Sequence, residues 1–95
     1  MLLACHAFTS LALSSASIEE EITVPLGAQI VPGVSGVAVA GVATLTVCYE
    51  YDPAQTVSTT MRLWLLSAGQ TVPEDDTQPW AVLFGRPVYV GVVGG

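Results

Sequence analysis

The sequence predicts an all-β protein, a small antiparallel β-sandwich or jelly-roll-like fold of six to seven short strands. The first observation is the segment from Val37 to Asp52, VAVAGVATLTVCYEYD, whose odd positions are apolar while its even positions turn polar from Thr44 on. Alternation with a period of two residues is the pattern of a half-buried strand. The second observation is residue type, because Val, Thr and Tyr suit a pleated, half-buried surface. The third is the close spacing of turn signals along the rest of the chain.

Three further strand segments are predicted before the centre of the chain, at residues 3–13, 17–24 and 28–39. The first could be mistaken for a secretory signal, but it lacks a positively charged start and polar residues interrupt its apolar run. A continuous strand over residues 28–52 would be about 80 Å long, so we expect a hairpin at Ala40-Gly41 with a second arm over 42–52. In the second segment Glu20 falls on the apolar parity, and we expect a bulge or a strand end to bring it to water.

The second half of the chain alternates turns with apolar segments. Residues 52–55 predict a turn, and Met61–Leu66 is apolar on both parities apart from Arg62, which predicts a central strand covered on both faces. We expect Arg62 to form a structural ion pair with Glu50, Asp52 or an acid of a neighbouring chain. The remaining segments are a turn at 67–70, a polar loop at 71–79, a strand at 80–84, a connection at 85–87 and a last strand at 88–93.

The composition suggests one domain, 1–95, whose surface is partly covered by other protein chains. Hydrophobic residues make up 52% of the chain and charged residues only 11%, against about 25% charged in an average soluble domain. A freely diffusing protein usually has a more charged surface, so we expect a homo-oligomer or a larger protein partner. The net charge is −6, with eight acids against two arginines and no lysine. Nucleic acid and anionic membranes attract proteins through Lys and Arg, so neither is an expected partner.

No arrangement of residues points to catalysis, a cofactor or a metal. His6 is the one histidine, no serine stands in a nucleophile elbow, and the glycines match no phosphate-binding loop. The acids Glu74, Asp75 and Asp76 lack the alternating spacing that wraps a calcium ion, which favours a solvated turn. We therefore expect a protein that is not an enzyme.

The two cysteines and the aromatic residues each leave two interpretations open. Cys5 and Cys48 are expected to be small buried hydrophobes, and a bridge between them requires their strands to be neighbours. Tyr49 and Tyr51 share the apolar parity of their segment, which favours packing over a stacking platform for a sugar.

Turn and strand motifs in this order resemble a group of small phage and prophage β proteins. The motifs are ITVPLGAQI at 22–30, a strand closing in Asp52-Pro53, MRLWLLSAGQTVPEDD at 61–76, and a final Val88-Tyr89-Val90-Gly91. The segment from Pro32 to Gly41 is longer and richer in glycine than that pattern. The resemblance implies a virion setting, in which small β-sandwiches decorate or cement a capsid or build tail parts. It implies no catalytic residues.

The leading hypothesis is a capsid decoration or cement protein located in the virion, with the major capsid protein as its partner. An alternative is a tail-tip or fibre module that binds glycans through Trp64 or Trp80. A third is a regulator that docks on a host protein through the acidic loop at 74–76. The candidate contact residues lie in the glycine-rich hairpin and beside the cations and tryptophans: Pro32, Gly33, Val34, Val37, Val39, Arg62, Trp80 and Arg86. The terminal segments 1–7 and 92–95 are further contact candidates.

Overall fold

The computed structural model describes residues 1–73 and 78–93, with the backbone alone for residues 78–80 and 93. This part of the chain is all-β, which confirms the predicted fold class, and it contains eight strands where six to seven were expected. They are β1 (Leu2–Ala12), β2 (Ile18–Pro25), β3 (Gln29–Ile30), β4 (Ser35–Val39), β5 (Val42–Tyr51), β6 (Ser58–Leu65), β7 (Gln78–Leu83) and β8 (Arg86–Val93).

The strands form two antiparallel sheets of four strands each. In sheet A, β5 is central: β1 pairs with one of its edges, and the short β3 and β4 share the other. In sheet B the order is β2-β6-β8-β7. The segment with the clearest alternation in the sequence is therefore the strand around which sheet A assembles.

The inner faces of the two sheets supply one core. From β5 it takes Ala43, Leu45 and Val47, all fully buried, which confirms the parity predicted for that strand. Sheet B contributes alternate residues of β6 and β8. The fully buried members from these two strands are Met61, Leu63, Leu65, Val88 and Val90. Burying a side chain of this size contributes about 1.5–3 kcal/mol, so the alternating pattern explains why these sheets pack face to face.

The hairpin predicted at Ala40-Gly41 is present, and it reverses the parity of the strand before it. Ala40 and Gly41 both have positive φ, 52° and 79°, as the two central residues of the commonest tight hairpin require. Across this two-residue turn Val39 pairs with Val42, so odd positions of β4 share a face with even positions of β5. Val39 therefore points outward, and the expectation of one apolar wall running from Val37 to Tyr51 was wrong for β4.

Three further expectations are corrected. The segment 28–39 is two strands, because residues 31–34 separate β3 from β4. Strand β6 is central but not covered on both faces, because Arg62 and Trp64 lie on the outer face and are partly exposed. Glu20 reaches water without a bulge, since β2 pairs with β6 in unbroken register and is an edge strand.

Each side of the sandwich has one edge from each sheet. Strands β1 and β2 contact each other on one side. On the other side β4 lies over β7 and the turn after it: a Cβ placed on Gly36 would lie 2.6 Å from Leu45 Cδ2, 3.1 Å from Leu83 Cδ1 and 3.2 Å from Phe84 Cζ. A glycine at position 36 is what allows β4 to approach this closely.

Candidate interaction surfaces

The outer face of sheet A is almost uncharged and carries exposed valines. Val37, Val39 and Val42 are 61%, 73% and 46% exposed, and Val39 and Val42 face each other across the hairpin. Further along β5 the outward residues are Thr44, Thr46 and Cys48. Among the outward residues of β5, Glu50 at its far end carries the one charge. We call the three valines the valine patch.

A disulfide lies on the same outer face and joins Cys5 to Cys48, which are directly opposite each other in β1 and β5. The expectation of two reduced, buried cysteines was wrong: the strands are neighbours, as a bridge requires, and Cys5 is exposed. The sequence could not decide this, because it did not give the register that places the two cysteines in the same cross-strand pair.

The free edge of β1 presents backbone groups that no strand of the described residues pairs with. The carbonyl of Cys48 accepts a hydrogen bond from the Val31 N–H at 2.9 Å, so the backbone groups of Cys48 point toward β3 and away from β1. Cys5 and Cys48 therefore form a non-hydrogen-bonded antiparallel pair, in which both residues direct their N–H and C=O groups away from each other. Cys5, and by alternation Leu3 and Ala7, therefore present these groups at the open edge of β1.

The outer face of sheet B carries aromatic side chains and charge. Trp64 in β6 is directly opposite Tyr89 in β8, and both side chains are partly exposed. On its other flank Trp64 faces Glu19 of β2. Two residues along the strands and on the same face, Arg62 Nε donates to Glu21 Oε2 at 3.1 Å.

The ion pair of Arg62 corrects the partners expected from the sequence. Glu21 lies directly opposite Arg62 in the β2–β6 ladder, whereas Glu50 belongs to sheet A and Asp52 follows it. The Arg62 and Glu21 side chains are 41% and 58% exposed, so water screens the attraction and the pair contributes little to stability.

Arg86 has its hydrogen bonds inside the chain. Its guanidinium donates to the backbone carbonyls of Leu66, Leu13, Ala16 and Leu65 at 2.8, 3.1, 2.9 and 3.2 Å. These carbonyls come from the turn between β1 and β2 and from the end of β6, so one side chain ties both sheets together. The hydroxyl of Ser67 also donates to the Ala16 carbonyl.

The other predicted contact residues lie in different places. Pro32 and Gly33 are exposed in the connection between β3 and β4, while Val34 is 7% exposed and belongs to the core. Val34 is therefore removed from the set of surface candidates, because its side chain faces the interior. Trp80 lies in β7, and its side chain falls outside the described residues, as does the acidic loop at 74–76.

Some surface residues could not be singled out by sequence reasoning. Tyr89 and Val42 enter the surfaces only through register, because each becomes significant by standing opposite Trp64 or Val39. Tyr49 and Tyr51 pack against the core with ring centroids 6.0 Å apart, which confirms packing over a stacking platform.

Within the described residues no three His, Cys, Asp or Glu side chains come together as a metal site. That same part of the chain has no helix long and apolar enough to span a membrane. No protein-family model, curated protein or solved structure matches the chain. The resemblance to phage β proteins therefore stays a prediction.

Proposed function

We propose that this protein is a non-enzymatic structural component of a phage particle, a decoration or cement protein that joins neighbouring capsid subunits. The observation that carries the proposal is the valine patch on a nearly uncharged outer face. Exposed apolar side chains grouped on one face are typical of protein contact surfaces. Covering them with a capsid subunit would remove apolar area from water without burying an unpaired charge.

The disulfide between Cys5 and Cys48 supports an extracellular stage in the life of this protein. Disulfides persist in oxidising surroundings and are rare in the reducing cytosol. A particle released from its host meets such surroundings, and a cross-linked cement protein would keep its strands together there. This agrees with assembly in the cytosol followed by oxidation in the free virion.

The test is to purify particles of the phage that encodes the chain and to identify their proteins. We expect the chain in mature particles, and its absence from them while it is abundant in the lysate would reject the proposal. Val39→Asp should lower retention on the particle at least tenfold, since it places a charge in the buried contact. Val82→Asp is the matched control, because Val82 is also 73% exposed but lies in sheet B. Equal loss in both variants would contradict a role for the valine patch.

A second candidate function is glycan binding on the outer face of sheet B. The observation that favours it is the Trp64–Tyr89 pair, two aromatic rings side by side with Glu19 and the Arg62–Glu21 pair next to them. Aromatic faces stack on sugar rings, and carboxylates and guanidinium groups hydrogen-bond to hydroxyls. A glycan array with wild type and Trp64→Ala would decide: a platform loses binding in the variant, while Phe84→Ala, an exposed aromatic in a turn, keeps it.

A further inference from the structure

We propose that the side of the sandwich formed by β1 and β2 accepts an extended, positively charged segment of another protein. The segment would add to sheet A as a strand on the free edge of β1. Its Lys and Arg side chains would lie against the acids of β2. This site is separate from the valine patch, and the inference does not depend on the virion setting.

The free edge of β1 has the properties of a strand acceptor. Leu3, Cys5 and Ala7 direct their N–H and C=O groups outward. Proteins usually protect such edges with charged residues, prolines or very short strands. Strand β1 is 11 residues long and contains no Lys, Arg, Asp, Glu or Pro. Its one irregularity, the register shift between Phe8 and Leu11, lies toward its end.

The acids come from the edge of the other sheet on the same side. Glu19, Glu20 and Glu21 are consecutive in β2 and all exposed. Glu20 shares the parity that faces sheet A, because it stands opposite the buried Leu63, while Glu19 and Glu21 lie at the same edge but on the outer face of sheet B. Arg62 neutralises Glu21. The other arginine, Arg86, is committed to backbone carbonyls, and the chain contains no lysine. The chain therefore has no spare Lys or Arg side chain to set against the remaining two carboxylates.

Charge decides which occupant fits this side. A second copy of the chain would bring a second net charge of −6 against the first, and like charges repel. A segment with Lys or Arg would instead relieve the repulsion among the glutamates already present. Charge complementarity thus favours a basic partner over a dimer of this chain.

The dimensions allow one segment to make both sets of contacts. Stacked sheets lie about 10 Å apart, so long side chains on the inward face of an added strand extend toward β2. Because β2 follows β1 through the turn at 13–17, Glu19–Glu21 lie beside the Ala12 end of β1. A segment of about eight to ten residues, about 26–33 Å long, would run from Leu3 past this end.

The test uses the oxidised full chain and a fluorescent ten-residue peptide that alternates Lys and Val. We expect a rise in fluorescence anisotropy, with affinity falling at least tenfold between about 50 and 500 mM salt. The same peptide with alternate backbone nitrogens methylated keeps its charge but cannot pair as a strand, so it should bind at least tenfold more weakly. A peptide alternating Glu and Val should not bind.

Two variants locate the site. Ala7→Pro removes an outward N–H while leaving the hydrogen bonds to β5 in place, and it should weaken peptide binding at least tenfold. The control Ala7→Ser should bind like wild type. The double change Glu19→Gln/Glu20→Gln should weaken binding and flatten its salt dependence. Both binding variants must keep the wild-type melting transition, and the methylated peptide repeats the test without any change to the protein.

Several results would overturn the inference. Equal binding of the methylated peptide would show association by charge alone, and no binding of the Lys-Val peptide at about 1 mM would show that the edge accepts no basic strand. A dimer in light scattering that Ala7→Pro dissociates would assign the edge to a second copy. Failure to find the chain in particles, by contrast, would reject the proposed function and leave the peptide result unchanged.

Discussion

The outer faces of the two sheets differ in charge, in side-chain chemistry and in what holds their strands together. Sheet A presents small uncharged residues, the valine patch and a disulfide. Sheet B presents Trp64, Tyr89, the Arg62–Glu21 ion pair and Glu19. Their inner faces are alike, since both supply alternate aliphatic side chains to one core. The comparison teaches that the shared aliphatic core explains the fold, while the outward-facing side chains make the surfaces of the two sheets chemically different.

The largest effect on the free energy of unfolding is expected for the Cys5–Cys48 disulfide of sheet A. The cysteines are 43 positions apart, and a loop of this size corresponds to about 3–4 kcal/mol of stabilisation, chiefly through the unfolded chain. Replacing both cysteines by Ser should lower the free energy of unfolding by roughly that amount in urea denaturation. Reduction of the wild type should reproduce the loss. A loss below about 0.5 kcal/mol would show that the bond does not constrain the unfolded chain.

The next largest effect on stability is expected for the hydrogen bonds that Arg86 donates to four backbone carbonyls. Lys keeps the charge of Arg86 but cannot match the planar fork that donates to four carbonyls. Arg86→Lys should therefore lower the free energy of unfolding by about 2 kcal/mol, because part-buried carbonyls at the ends of β1 and β6 lose their donors. The control is Arg62→Lys on the outer face of sheet B, which should change stability by less than about 0.5 kcal/mol. Equal losses of unfolding free energy in the two variants would mean that the hydrogen bonds of Arg86 stabilise the fold no more than the exposed ion pair of Arg62 does.

A smaller gain is expected at the hairpin of sheet A. Ala40 has a φ of 52°, a conformation that Asn adopts far more readily than Ala and that Asn-Gly hairpins favour. Ala40→Asn should raise the free energy of unfolding by about 0.5 kcal/mol. Gly41→Ala in the same turn should lower it, because that residue also has positive φ. A loss of stability in Ala40→Asn would argue against this turn type.

The smallest effect concerns the ion pair of sheet B. A double-mutant cycle with Arg62→Gln and Glu21→Gln should give a coupling free energy of about 0.2–1 kcal/mol, since both side chains are largely exposed. The coupling should shrink in high salt. A coupling well above this range would show that the pair is shielded from water and that sheet B depends on it more than its exposure implies.

The sequence predicted the strands that alternate and missed what depends on register. The hairpin at Ala40-Gly41, the core parity of β5 and the strand at β1 all follow from local patterns, because alternation and turn residues act over a few neighbours. The pairing of Arg62 with Glu21 joins positions 41 apart, and nothing local indicates that β2 lies beside β6. The Cys5–Cys48 bridge was missed for the same reason.

Parity explains the error in β4. The odd positions of β4 and β5 looked like one apolar wall, but a two-residue hairpin pairs Val39 with Val42 and so exchanges odd for even. The valine patch is the direct result: Val37 and Val39, which would share the buried parity of a continuous strand, instead face outward beside Val42. The valine patch could thus be located only once the turn was combined with the register.

The bond between Cys5 and Cys48 also limits the exchange of strands between copies of the chain. In domain swapping, identical molecules exchange the same structural element. Here a disulfide fastens β1 to β5 of the same molecule, so exchange of β1 between copies is confined to the interval before oxidation. A molecule that is oxidised before any exchange therefore retains β1 as a strand of its own sheet A.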